Sequence, residues 1–70
     1  MNMEQEYYII KRVPWEYDKL PDYYAGLIGF TRNLNLISIF DSMDQVSEEI
    51  QHIKNFDPEA HNYTFSIVRM

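Results

Sequence analysis

The sequence predicts an α+β fold: a four-stranded, mostly antiparallel sheet with one helix on one face, in the order β-β-β-α-β. Three observations carry this expectation. Four runs rich in Tyr, Ile, Val and Phe are separated by Pro, Gly and Asn. Only the segment from Ser42 to Asn55 repeats its apolar residues at helical spacing. The chain has 70 residues, enough for one domain spanning 1–70.

The first strand is Glu6 to Val13 (EYYIIKRV), ended by Pro14, which has no N–H for a ladder. A polar and aromatic connector follows, PWEYDKLPD from Pro14 to Asp22, whose two prolines oppose regular structure. The second strand is Tyr23 to Thr31 (YYAGLIGFT), where Gly26 and Gly29 mark a bulge or a close backbone approach. Arg32 to Asn35 is a turn, because Asn accepts positive φ. Leu36 to Phe40 (LISIF) is then a third strand, hairpin-paired with the second. In the helix, Met43, Val46, Ile50 and Ile53 form one stripe expected to face the sheet. Ser42 and Gln45 fit a capping box, Asp44 and Lys54 complement the helix dipole, and Pro58 prevents continuation. The last strand is Asn62 to Met70, with Tyr63, Phe65 and Ile67 on one face. A return through the helix would set it beside the first strand and parallel to it.

Eleven aromatic residues (six Tyr, four Phe, one Trp) occupy a chain with no cysteine and a net charge of −5. A domain this small buries only about 60% of the surface its unfolded chain exposes. Aromatic surface should therefore remain for a partner, and one helix leaves the second sheet face open. A homodimer is expected, with Tyr7, Tyr8 or Tyr63 near the contact. Absent cysteines exclude a disulfide framework and thiolate metal sites. No signal-peptide pattern and no membrane-length apolar run is visible, so a cytoplasmic protein without membrane contact is expected.

Charge is uneven. Between Asp41 and Glu59 six carboxylates face one cation, Lys54. Such a surface repels nucleic acid and attracts basic protein; the plainer reading is a solvated helix face. Trp15, Tyr17 and the Tyr23-Tyr24 pair alternate with Glu16, Asp18 and Asp22, the combination that docks lysine and arginine. The plainer reading here is a lid, with Trp15 and Leu20 tucked over the sheet while the charges solvate the loop.

Signals for chemistry are weak. Glu48 and His52 are four apart on the helix, and His61 follows in a loop, but a solvated histidine is the simpler account. Glu48 and Glu49 point about 100° apart and do not share a substrate. No phosphate loop or nucleophile triad is present. The reading is therefore of a non-enzyme with no catalytic residues, cofactor or metal.

Leu36 to Phe40 resembles the short bacterial sliding-clamp-binding peptide, without its leading glutamine. The segments YYIIKRV, GLIGFT, FDSMDQVSEEIQHI and YTFSIVRM together resemble the small acidic early proteins of bacteriophages and mobile elements. That resemblance implies inhibition of a host replication, transcription, repair or defence complex. Inhibitors of sliding clamps and CRISPR nucleases, often DNA mimics, are examples.

The expected function is a protein-binding inhibitor or adaptor acting in a bacterial host cytoplasm. Asp41, Asp44, Glu48 and Glu49 would meet a basic, DNA-processing partner such as a clamp or nuclease, with Trp15, Tyr17 and Tyr24 as anchors. The alternatives are a single-stranded nucleic-acid binder using Tyr7, Tyr8, Phe65 and strand cations, or a self-assembling phage or plasmid subunit.

Overall fold

The computed structural model describes residues 5–70. Its sheet is built from β1 (Tyr8–Pro14), β2 (Asp22–Tyr24), β3 (Phe30–Thr31) and β4 (Tyr63–Arg69). The helix α1 spans Met43–Phe56. The strand order is β3-β2-β1-β4, every neighbouring pair is antiparallel, and α1 packs on one face. The expected α+β architecture is present, with its strands cut differently.

Pro14 belongs to β1 and stands opposite Tyr63. The missing N–H costs nothing there. Trp15 N–H bonds Asn62 O across to β4, so the Pro14 position faces the other way, past the end of β2.

The predicted second strand is itself a hairpin. Gly26 (φ 63°) and Gly29 (φ 88°) hold positive φ and reverse the chain inside YYAGLIGFT, and Ala25 N–H closes the turn on Gly29 O at 2.7 Å. β2 and β3 are the two arms. Leu36 to Phe40 is consequently not a ladder strand paired with them. Extending the Lys11↔Tyr23 register by three residues would set Gly26 against Tyr8. Phe40 stands there instead, 14 residues later (40 − 26). The segment beside β1 is thus one strand interrupted by a looped-out hairpin. Ser38 N–H to Tyr24 O (2.9 Å) stitches the loop back.

The last strand lies beside the first, as expected, but antiparallel rather than parallel. Phe40 delivers the chain to the Tyr8 end of β1, and α1 carries it to the Pro14 end. β4 then has only one direction in which to run.

Helix α1 starts on Ser42, whose Oγ accepts from Gln45 N–H at 3.4 Å; of the two capping-box bonds only this one forms among the described residues. The core joins Tyr8 and Ile10 of β1 to Val46 and Ile53 of α1, with Tyr24, Phe30, Phe40, Ile50, Phe65 and Ile67 packed around them. Met43 departs from the expected stripe and is 48% exposed. It lies in the first turn of the helix.

The aromatics also lie otherwise than expected. Tyr8, Tyr24, Phe30, Tyr63 and Phe65 share the face that α1 covers. The opposite face presents Ile9, Lys11, Val13, Tyr23, Thr31, Thr64, Ser66 and Val68, with Tyr23 its one aromatic among the described strand residues.

Candidate functional site

The acidic residues of the helix region fall into a row and a groove. Asp41 precedes the cap, and Asp44 and Glu48 follow at a spacing that makes helix neighbours. All three are exposed. The ion pairs among the described residues lie elsewhere: Arg12–Asp22, Lys19–Glu16 and Arg69–Glu6. The row therefore keeps its charge for solvent or a partner.

Beside it, Phe40, Gln45, Glu48, Glu49 and His52 line an open groove of about 430 Å³. Phe40 arrives from the loop bridged to Tyr8 and rests against the core. Its ring stacks on Tyr24 with centroids 6.4 Å apart. Tyr24 in turn donates its hydroxyl to Glu49 Oε2. That bond, aided by burial, pushes the Tyr24 hydroxyl up to about 12, because ionisation would set a phenolate against a carboxylate. The groove thus has an apolar wall and carboxylate rims, the shape that takes the stem and head of a lysine or arginine.

The predicted site residues do not form one patch. Although about 100° apart around the helix, Glu48 and Glu49 both line the groove, against the expectation that they do not share a ligand, and Asp44 and Asp41 continue the charge towards the helix start. Tyr24 is half-buried and already committed to Glu49, so it supports the groove and is not a free anchor. Trp15 (73% exposed) and Tyr17 (100%) stand at the other end of the molecule. Trp15 shares a hollow with Lys54, Ala60, His61 and Tyr63, beyond the helix C-terminus. A 14-residue helix separates that hollow from Asp41, about 21 Å at 1.5 Å per residue. Trp15 is not the lid of the plainer reading, since the tryptophan remains largely open to solvent.

Phe40 and Gln45 are the groove residues not expected at a site from the sequence, and His52, noted there only for its spacing from Glu48, joins them. Gln45 and His52 lie on the helix beside Glu48 and Glu49 and were within reach of a helical-wheel reading. Phe40 was not, because its place depends on the looped-out hairpin.

Several other signals resolve into structure. Arg12 sits between the rings of Phe30 (3.9 Å) and Tyr63 (4.0 Å) and forks onto Asp22 through Nε and Nη2 at 2.9 and 2.8 Å. It is a packed structural cation, unavailable to nucleic acid. Tyr8 is in the core and Phe65 is packed against it, which leaves Tyr7, 43% exposed, as the open aromatic of the stacking set expected for a single-strand binder. His61 lies with Trp15, away from Glu48 and His52, and among the described residues no three His, Asp or Glu side chains are placed to hold a metal ion. Leu36 and Ile39 are exposed, but Phe40, the last residue of the clamp-peptide resemblance, is bridged to Tyr8 and packed on the core. Among the described residues no helix is long and apolar enough to cross a membrane. Compared with protein-family models, curated proteins and solved structures, the chain finds no match.

Proposed function

We propose that this chain is a non-enzymatic protein-binding module that captures a basic surface with the Asp41–Asp44–Glu48 row and the Phe40–Glu48–Glu49 groove. The observation that carries the reading is the row itself: three exposed carboxylates with no ion-pair partner among the described residues, next to an aromatic-walled groove. A partner's lysine or arginine would lay its stem on Phe40 and its head between Glu48 and Glu49, while the row sets orientation by longer-range attraction. A DNA-handling protein, whose phosphate-binding groove is already cationic, offers such a surface, and the row would then occupy the place of phosphates. On this reading the chain would act by occupying that groove and so inhibiting a host complex in the bacterial cytoplasm.

The test is capture from a bacterial lysate, followed by titration of the captured protein at rising salt. Binding should weaken steeply with ionic strength. Asp44→Lys with Glu48→Lys should abolish it, while the circular-dichroism spectrum and thermal midpoint are retained. A complex indifferent to salt and to both reversals removes the proposal.

A further inference from the structure

The sheet has two unequal edges. One is β3, two residues long. The other is β4, seven residues, which carries no Pro, Gly or Lys and only one charge, Arg69. Natural sheets blunt an exposed edge with those very devices or by shortening it. β3 is blunted and β4 is not.

The hydrogen-bond register shows what β4 offers. Met70 N–H bonds Tyr7 O at 2.8 Å and Trp15 N–H bonds Asn62 O at 3.1 Å. Even-numbered positions of β4 therefore turn their backbone groups toward β1. Tyr63, Phe65, Ile67 and Arg69 turn theirs outward. Tyr63 N–H is taken by Ala60 O. The N–H groups of Phe65, Ile67 and Arg69, and the four outward carbonyls, have no protein partner among the described residues.

We propose that β4 is an interface for a second copy of this chain, paired antiparallel about a two-fold axis through Ser66. The sequence of the edge argues for self-pairing. Centred on Ser66, the strand Tyr63–Arg69 lies opposite itself over its whole length. Phe65 then meets Ile67 of the second copy, and Tyr63 meets its Arg69. On the open face Thr64 meets Val68 and Ser66 meets Ser66. Each is a favourable or neutral cross-strand pair, and no like charges face each other. The free N–H of Arg69 reaches the free carbonyl of Tyr63, so the one donor already used within the chain is not required. The result is a continuous eight-stranded sheet with both long edges removed. This goes beyond the acidic-groove reading and uses none of its residues.

The chain has no cysteine, so one introduced thiol reports the geometry. Ser66 would form a non-hydrogen-bonded pair with itself, Cα atoms about 4.5 Å apart, within disulfide reach. Ser66→Cys should cross-link to dimer almost completely under mild oxidation at micromolar concentration. Thr64→Cys, displaced from its own copy by about 14 Å along the strands, should remain monomeric. In the unmodified protein the amides of Phe65 and Ile67 should exchange as slowly as those of Ser66 and Val68. The dimer should also tighten as salt rises, because each copy carries −5, opposite to the salt response of the acidic groove. A monomer mass across a hundredfold dilution range, with fast exchange at Phe65 and Ile67, overturns the proposal. Protection of those amides at monomer mass would put a segment of the same chain on the edge and also overturns it. So does a dimer in which Thr64→Cys links as readily as Ser66→Cys.

Discussion

Removing the Arg12 guanidinium should unfold most of the molecule. Its side chain is 16% exposed and that of Asp22 is 18% exposed, so the pair is largely out of water. Taking one partner from a buried pair costs about 3–5 kcal/mol, because the other charge is left without compensation. The loss of ring contacts on both sides adds roughly 1 kcal/mol each. A single core in a domain of this size supplies only about 3–5 kcal/mol. Arg12→Ala should therefore leave a minority of molecules folded at 25 °C in urea titrations followed by circular dichroism. Arg12→Lys keeps the charge and loses the fork and the stacking. It should stay folded, with its stability from the same urea titration reduced by about 1–2 kcal/mol. Replacing both members by apolar residues, Arg12→Met with Asp22→Leu, should recover much of the loss. If Arg12→Ala costs less than about 1 kcal/mol, the scale of a surface pair, then the stacked fork does not hold the strands and the argument from burial fails.

The helix register can be tested by contrast: Ile53→Ala should cost about 2–5 kcal/mol, and Met43→Ala should stay within about 0.5 kcal/mol in the same urea titration. Equal losses at the two positions would return Met43 to the buried stripe. The Tyr24–Glu49 bond gives a pH dependence. The Tyr24 hydroxyl is raised above its ordinary 10 to about 12, so its stabilising effect is complete below pH 10 and is lost as pH rises towards 12. Stability should fall across that interval, and Tyr24→Phe should remove this part of the fall, read from thermal midpoints at successive pH values.

The sequence made the helix the most legible element, because cap, periodicity and stop signal all agree between Ser42 and Pro58. The sheet was legible in strand number and in the adjacency of its first and last strands. It was not legible in pairing. LISIF has strand composition, and nothing local reveals that only Phe40 pairs, in a slot that Gly26 vacated. Two glycines in YYAGLIGFT fit a bulge and a turn equally well until the positive φ values separate them. The direction of β4 depended on which end of β1 the helix starts from, a long-range fact that Phe40 decides.

The candidate site was half legible for the same reason. Asp44, Glu48 and Glu49 could be placed on one helix from their spacing. Tyr24 was singled out as an aromatic, but its bond to Glu49 crosses 25 positions of sequence. Trp15 and Tyr17 are both exposed, though composition gave no means of telling that Trp15 lies beyond the helix C-terminus, with about 21 Å of helix between its hollow and Asp41.

Backbone and side-chain NMR of the labelled protein, titrated with an arginine-rich peptide, shows whether the carboxylate groove takes a basic side chain. Saturable shifts should centre on Phe40, Gln45, Glu48, Glu49 and His52, extend to Asp44 and Asp41, and disappear in Glu48→Gln with Glu49→Gln. Shifts centred instead on Trp15, Glu16 and Glu59, which line a second hollow with Pro14 and Tyr63, or a diffuse response that never saturates, would show that the groove does not take the basic side chain.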